Sequence, residues 1–200
     1  MLKALSRTKI SPLSIAEVGC GAGGVLAALQ PQFAASTFDG YDISPQAIRL
    51  AQHSGIKFHC QDFTRIERSF DLVLLLDVVE HVEDCFGFLS TIRERTEHVI
   101  VHFPLDMSAY GILRGTPMCA RHADGHLHYF CKDTALATLQ DCGYSIVDWF
   151  YTPKQELVTG FKNSISHFVR RAVYGVSPDF TVLALGCYGL LVTAKSARAH

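Results

Sequence analysis

The chain has 200 residues, which is the size of one ordinary domain, and we expect a single domain over residues 1–200. Hydrophobic residues make up 48% and charged residues 18%, a composition that excludes intrinsic disorder, collagen and coiled coils. The 18 basic and 19 acidic side chains give a net charge of −1, which disfavours a bulk nucleic-acid partner.

Seven cysteines are scattered along the chain, and no C-x-x-C pair indicates a zinc or redox site. We interpret them as reduced thiols and predict a cytoplasmic protein.

No secretory signal is visible in residues 1–14, because no long apolar stretch follows their basic residues. The longest uncharged run, residues 180–194, is too short to cross a bilayer as a helix, so we expect no transmembrane segment.

Up to residue 104 the chain alternates apolar, strand-like runs with segments of helical spacing. Strands are predicted at residues 15–18, 37–43, 57–60, 70–76 and 98–103. The run 70–76 is hydrophobic throughout, which is typical of a central strand covered on both faces. Ser44 and Pro45 provide the N-cap and first residue of a helix that should end at Gly55. A later helix is predicted to bury one face, formed by Cys85, Leu89 and Ile92.

Beyond residue 104 the alternation is interrupted. Residues 105–128 show no clear period, so we predict an irregular connection there, within a substrate-side insertion over residues 104–130. The remaining predicted elements are a helix at 132–142, a strand at 145–151, a helical insertion at 153–185 and a last strand within 187–194.

Strands that alternate with helices need right-handed crossovers, and therefore a mostly parallel, doubly wound α/β sheet. In such sheets ligands bind at the carboxyl ends of the strands. The residues directly after each strand are thus the first candidates for a functional site.

A glycine-rich turn follows the first strand and could bring backbone N–H groups to an anionic ligand at a helix N-terminus. Gly19, Gly21 and Gly24 match the dinucleotide pattern G-x-G-x-x-G. The overlapping pattern E-x-G-x-G-x-G, the nucleoside-binding turn of S-adenosylmethionine (SAM) enzymes, is matched by Glu17, Gly19, Gly21 and Gly23. A tight turn without a ligand is a third interpretation.

Carboxylates follow the second and third strands. Asp42 lies where a carboxylate can accept both ribose hydroxyl hydrogens of an adenosine cofactor, although it could also belong to the turn before Ser44. Asp62 could accept a hydrogen bond from an adenine amino group while Phe63 packs on the ring. A solvated loop acid is the alternative for Asp62.

The segment FDLVLLLDVVEHV at residues 70–82 is more specific than these pieces. Together with the glycine turn, Asp42 and Asp62, in the same order and at the same distances, it resembles the class I SAM-dependent methyltransferases, particularly the small methyltransferase-domain group. The resemblance covers roughly residues 14–152. It implies a Rossmann-like fold with a seven-stranded, mostly parallel sheet and an antiparallel last strand.

The resemblance also implies an activity: methyl transfer from SAM to an oxygen, nitrogen or carbon of a small molecule, with S-adenosylhomocysteine (SAH) as product. The cofactor contacts that it implies are Glu17, Gly19, Cys20, Gly21 and Gly23 at the methionine part, Asp42 and Ile43 at the ribose, Asp62 and Phe63 at the adenine, and Leu76 and Asp77 beside the methyl group.

Two other functions are open at this point. A Rossmann oxidoreductase or epimerase that uses NAD(P) would be expected to carry a Tyr-x-x-x-Lys pair, but none of the seven tyrosines has a lysine four residues later. A SAM-binding regulatory partner without catalytic activity is the second alternative, and self-association of the chain is compatible with each function.

The segment Asp77-x-x-Glu80-His81 resembles the one by which small-RNA 2′-O-methyltransferases and ubiquinone-pathway O-methyltransferases bind a divalent ion. His126 would complete such a set. Asp77 stands where the RNA enzymes have Glu, and we predict that no metal is bound. His81 and His126 are candidate catalytic residues, since an imidazole can act as a general base near neutral pH. The alternative is that Glu80 and His81 only line the pocket floor.

Two further segments have weaker signals. The acceptor wall is predicted to contain Met107, Tyr110, Leu113, Arg114, Met118 and Arg121, with the arginines able to bind a carboxylate or phosphate. A solvated loop is the alternative. A basic amphipathic helix, facing either the core or a membrane surface, is predicted from Phe161, Lys162, Ile165, Phe168, Val169, Arg170 and Arg171.

Overall fold

A computed structural model describes residues 1–153 and 170–197. Its strands are β1 Ser14–Val18, β2 Thr37–Asp42, β3 Ile56–Cys60, β4 Phe70–Leu76, β5 Thr96–Pro104, β6 Tyr144–Pro153 and β7 Tyr188–Ser196. They form one sheet in the order β3-β2-β1-β4-β5-β7-β6. β1 to β5 pair in parallel, and β7 lies antiparallel between β5 and β6. The predicted seven-stranded, doubly wound sheet with an antiparallel last strand is confirmed.

Helices connect most of these strands. They are α1 Leu2–Thr8, α2 Gly24–Leu29, α3 Pro45–Leu50, α4 Cys85–Arg95, α5 Ala109–Leu113, α6 Thr116–Ala123, α7 Lys132–Asp141 and α8 Pro178–Leu185. Residues 170–176 are also helical. No helix in the described part of the chain combines the length and the apolar character needed to cross a membrane.

The core lies on both faces of the sheet, and β4 shows why. Val73 and Leu75 point into a cluster on one face, while Leu72 and Leu74 point into a second cluster on the other, and all four are fully buried. Adjacent side chains of a strand point to opposite faces, so a strand covered on both faces must be hydrophobic throughout. The predicted central position of this strand is therefore confirmed.

The predicted helix starts follow their capping residues. The Ser44 hydroxyl accepts a hydrogen bond from the backbone N–H of Ala47, with Pro45 at the first helical position. α3 ends at Leu50, before the predicted end at Gly55. In α4, Cys85, Leu89 and Ile92 are buried as predicted.

The prediction of an irregular connection over residues 105–128 is wrong, because α5 and α6 lie within it. The Ser108 hydroxyl caps α5 by accepting a hydrogen bond from the backbone N–H of Gly111, and Pro117 lies in the first turn of α6. Helices of five and eight residues span too few turns to show a clear period in the sequence.

α8 is anchored to the sheet by one carboxylate. The Lys132 Nζ donates to Asp179 Oδ1 at 2.9 Å, and the Tyr151 hydroxyl donates to the same oxygen. The described part of the predicted helical insertion, residues 170–185, is largely helical. The amphipathic pattern predicted at Phe161, Lys162, Ile165, Phe168 and Val169 lies outside the described residues.

Candidate functional site

The glycine turn after β1 distinguishes the two overlapping glycine patterns. Gly19, Gly21 and Gly23 all have positive φ angles, of 69°, 54° and 81°. A Cβ at Gly23 would also collide with the ring of Phe58, whereas a Cβ at Gly24 would have no atom within 4 Å. The positions that need glycine are thus those of E-x-G-x-G-x-G. The last glycine of the dinucleotide pattern has no packing reason to be glycine.

Asp42, at the end of β2, is held by two backbone donors. Its Oδ2 accepts a hydrogen bond from the N–H of Gly21 at 2.9 Å, and its Oδ1 accepts one from the N–H of Ser44 at 2.8 Å. Each carboxylate oxygen has a second lone pair, so both can still accept from a ligand hydroxyl. Asp42 therefore belongs to the turn and remains able to bind a ribose.

A cavity of about 540 Å³, called the cofactor cavity below, lies at the carboxyl ends of β1 and β2. Of the predicted cofactor contacts, its wall contains Gly19, Asp42, Ile43, Asp62 and Phe63. Other parts of the wall, which the sequence analysis did not identify, are Tyr41, Val78, Val82, Gly87, Phe88 and Thr91. Two apolar valines and the first turns of α4 thus cover the side opposite β2.

Asp62 and Phe63 form the far end of the cofactor cavity. Asp62 Oδ1 accepts hydrogen bonds from the backbone N–H of Thr64 at 2.9 Å and from its hydroxyl at 2.7 Å. Phe63 is only 1% exposed and packs edge-on against Tyr41, with ring centroids 5.0 Å apart. Its ring is fixed in the core and presents an apolar surface to the cavity.

Of the other predicted cofactor contacts, Asp77 lines a second cavity, described below, and the rest line neither cavity. Glu17 is 3% exposed and accepts a hydrogen bond from the backbone N–H of Leu26, and burial raises the pKa of its carboxyl to about 8. Cys20 is buried behind the turn, where burial, with the nearby carboxylates, raises the pKa of its thiol to about 12. Leu76 packs against the core. Glu17 therefore supports the glycine turn from behind and does not share the cavity of Asp42 and Asp62.

A larger cavity of about 820 Å³, called the acceptor cavity below, lies beside the first. Asp77 belongs to its wall and Val78 to the wall of the cofactor cavity, so the two cavities adjoin where β4 ends. Of the predicted acceptor residues, Tyr110 and Arg114 line this cavity. Among the described residues, its wall does not include Met107, Leu113, Met118 or Arg121.

Glu80 and His126 line one side of the acceptor cavity, and His81 lies beside them without lining it. Each offers a ligand atom, and these atoms lie within 4.8 Å of one another. His126 Nδ1 is 2.6 Å from a carboxylate oxygen of Asp106, and His81 Nδ1 is 3.3 Å from the carbonyl oxygen of Gly125. Because those oxygens only accept, both Nδ1 atoms carry the hydrogen and both Nε2 atoms keep a lone pair.

Glu80 is fully buried, and neither of its carboxyl oxygens has a hydrogen-bond partner among the described residues. Burial raises the pKa of this carboxyl to about 8. Two imidazole nitrogens and one carboxylate are a donor set that fits a divalent ion, with Asp106 orienting His126. Asp77, the fourth candidate ligand, is hydrogen-bonded to His102 instead. The prediction that no metal is bound stays a prediction.

Sequence reasoning missed several residues of the acceptor cavity, and two of them, His102 and Thr152, are hydrogen-bonded to each other. His102 lies near the end of β5, with Nδ1 2.6 Å from Asp77 Oδ1 and Nε2 2.7 Å from the hydroxyl oxygen of Thr152 in β6. A signal existed for His102, because it is the only polar residue in the run 99–103. Thr152 has no comparable signal in the sequence.

Comparisons with known proteins agree with this geometry. A family model described as a methyltransferase domain matches residues 16–97. Magnesium protoporphyrin IX methyltransferase from Synechocystis, solved with bound SAH, is similar with a TM-score of 0.64 and 17% identity, over 98% of this chain and 79% of that chain. No curated protein matches the sequence significantly.

Other solved structures share the fold. A SAM-dependent methyltransferase from Archaeoglobus fulgidus matches with a TM-score of 0.63 and 18% identity, over 96% of this chain and 91% of that one. A Haloferax volcanii complex between a methyltransferase activator and a protein described as a methyltransferase matches with a TM-score of 0.71 and 15% identity, over 98% of this chain and 88% of that one. Residues 16–97 thus match a methyltransferase domain, and the chain has the Rossmann-like methyltransferase fold.

Proposed function

We propose that the protein transfers the methyl group of SAM to a small-molecule acceptor and releases SAH. The observation that carries the proposal is the arrangement of two adjoining cavities at the carboxyl ends of the strands, one suited to a nucleoside and one lined by polar groups. They meet at Asp77 and Val78, which is where a methyl donor and its acceptor would have to meet.

In this proposal the cofactor cavity holds the adenosine part of SAM. Asp42 accepts the ribose hydroxyls, because it lines the cavity and each of its two oxygens keeps a free lone pair. Asp62 and Phe63 lie beyond it, where the adenine would be bound. The sulfonium end then points to Gly19 and Val78, which are in contact distance of each other across the turn.

The reaction depends mainly on placement. The sulfonium is already a strong electrophile, so the protein must place the acceptor atom in line with the methyl carbon and exclude competing water. The wall of the acceptor cavity contains Arg114, Asp106, Asp124 and His126, which suits a polar acceptor whose methylated atom is an oxygen, nitrogen or carbon. Should a divalent ion occupy the Glu80, His81 and His126 set, it would polarise an acceptor oxygen there.

Calorimetric titration with SAM, SAH and NADH tests the cofactor half of the proposal. We expect SAM and SAH to bind and NADH not to bind, because Gly24 has no packing reason to be glycine as the dinucleotide pattern requires. Tight binding of NADH without binding of SAM would refute the proposal and favour an oxidoreductase.

An acceptor screen tests the catalytic half. SAH release is measured with a panel of phenols, carboxylic acids and amines, each with and without a chelator. We expect turnover with at least one class. Binding of SAM without turnover of any acceptor would instead favour the SAM-binding regulatory partner.

A cytoplasmic location is part of the proposal. Six of the seven cysteines, all but Cys187, are free thiols, and three of them, Cys20, Cys85 and Cys142, are buried. Unpaired cysteines in this number suit a reducing compartment better than an oxidising one.

A further inference from the structure

Three side chains from three different strand ends form a continuous hydrogen-bonded chain in the wall of the acceptor cavity. Asp77 follows β4, His102 lies near the end of β5, and Thr152 lies near the end of β6. The Asp77 Oδ1 to His102 Nδ1 distance is 2.6 Å, and the His102 Nε2 to Thr152 Oγ1 distance is 2.7 Å. The imidazole thus bridges a carboxylate and a hydroxyl.

The hydrogen positions follow from the partners. A carboxylate can only accept, so in the neutral imidazole the single N–H is on Nδ1 and is donated to Asp77. Nε2 then has a lone pair and accepts a hydrogen bond from the Thr152 hydroxyl. The remaining lone pairs of the Thr152 oxygen are available to accept a hydrogen bond from another group. Since Thr152 lines the acceptor cavity, a bound acceptor can supply that hydrogen.

The residues around His102 leave room for this series of hydrogen bonds. Gly189 of β7 lies opposite Thr152 of β6. A Cβ at Gly189 would be 2.7 Å from His102 Cε1 and 2.8 Å from Thr152 Oγ1. Glycine is therefore needed where β7 passes the imidazole. Asp77 itself has a φ of 52°, a left-handed conformation that few non-glycine residues adopt. Backbone strain of this kind often accompanies a functional side chain.

We propose that His102 is the proton acceptor of the methyl transfer and that it acts through the Thr152 hydroxyl, with Asp77 as a positioning residue; this rests on the proposed function. The acceptor X–H donates to Thr152 Oγ1 while Thr152 donates its own hydrogen to His102 Nε2. The X–CH₃ bond forms, the CH₃–S⁺ bond breaks, and its electron pair leaves SAH neutral. The proton of X–H thus ends on Thr152 Oγ1, and the hydrogen that Thr152 gave up resides on His102 Nε2, next to the Asp77 carboxylate, until it passes to water.

The first test compares acceptors that need a base with acceptors that do not. Turnover is measured with 4-methylphenol, which keeps its proton at neutral pH, and with carboxylic acids and 2,4-dinitrophenol, which are ionised. Thr152→Val and His102→Gln should lower kcat about 10²- to 10⁴-fold for acceptors that keep their proton, the usual contribution of a general base. For ionised acceptors we expect less than about a tenfold change, since no proton has to leave.

Matched variants separate this role from a structural one. Thr152→Ser keeps the hydroxyl and should recover most of the activity that Thr152→Val loses. Thr37→Val makes the same substitution at an exposed position at the start of β2 and should change nothing. SAH affinity, measured by calorimetry, should be unchanged in all four variants. Equal losses for protonated and ionised acceptors would overturn the proposal.

A spectroscopic test needs no acceptor. Side-chain ¹⁵N NMR of the full chain with SAH should show His102 protonated at Nδ1 and unprotonated at Nε2, and Thr152→Val should shift the Nε2 resonance. A His102 imidazole protonated at Nε2 alone would overturn the proposal. If the wild-type protein binds SAH but methylates no acceptor, the proposed function fails, and this spectrum still decides whether the proton chain exists.

Discussion

Replacing Glu17 by glutamine should change how the stability of the protein depends on pH. The Glu17 carboxyl lies behind the glycine turn, is 3% exposed and accepts a hydrogen bond from the backbone N–H of Leu26. Burial disfavours the charged form and raises the pKa of the carboxyl from 4.5 to about 8 in the folded protein. At neutral pH the folded chain therefore holds a proton on Glu17 that the unfolded chain has lost.

The sign and size of the effect follow from that difference in bound protons. Below about pH 4.5 both states hold the proton and the contribution to stability is fully present. As the pH rises to about 8, only the folded state keeps the proton, so the free energy of unfolding falls by about 1.4 kcal/mol per pH unit. Between about pH 5 and pH 8 the loss is about 4 kcal/mol, a large part of the stability of a typical domain.

Urea unfolding of wild type and Glu17→Gln, followed by the fluorescence of Trp149, the single tryptophan, measures this directly. Glutamine keeps the acceptor for Leu26 and cannot ionise, so its advantage over the wild type should grow by about 4 kcal/mol from about pH 5 to pH 8. Other titrating groups, Glu80 among them, are present in both proteins and cancel. Glu67→Gln, at an exposed position, should follow the wild type at every pH. A constant difference between wild type and Glu17→Gln would refute the argument.

Three other predictions concern the cofactor cavity and its neighbour. Asp42→Ala should weaken SAH binding about 10- to 100-fold in calorimetry, because a charged acceptor is lost, and an unchanged affinity would contradict its placement at the ribose. Gly23→Ala should lower the free energy of unfolding by more than about 1 kcal/mol, while Gly24→Ala should be neutral or slightly stabilising; similar melting temperatures for the two variants would contradict the geometry of the turn. A chelator should leave SAH affinity unchanged, because Glu80 lies in the wall of the acceptor cavity only, and the prediction of a metal-free protein further requires unchanged turnover. Loss of turnover that a divalent ion restores would contradict that prediction.

The sheet and the four connections between its first five strands could be predicted, because each depends on a local pattern. β4 was predicted at its observed bounds, since a strand buried on both faces must be hydrophobic throughout. The start of α3 was predicted from Ser44 and Pro45, which act through contacts within four residues. α5 and α6 could not be predicted in this way. Short helices depend on packing against other elements more than on their own sequence.

The two cavities also differ in how far they can be predicted from local sequence patterns. Asp42 and Asp62 each follow a strand that can be recognised from its own residues, so their common location can be deduced from the topology alone. The acceptor cavity takes its polar groups from segments far apart in the sequence. His102 and Thr152 are fifty residues apart and meet across β7, where Gly189 has no side chain to separate them. No motif within one segment carries that information.

The end of β4 explains how one short segment can serve both cavities. Asp77 has a positive φ and its N–H donates to the carbonyl oxygen of His102, which turns the chain sharply after the last strand residue. Its side chain consequently faces the acceptor cavity, while Val78 faces the cofactor cavity and contacts the glycine turn. In the proposed reaction, these two successive residues separate the methyl donor from the proton acceptor. A change at Val78 should therefore act on SAH affinity, and a change at His102 on proton transfer.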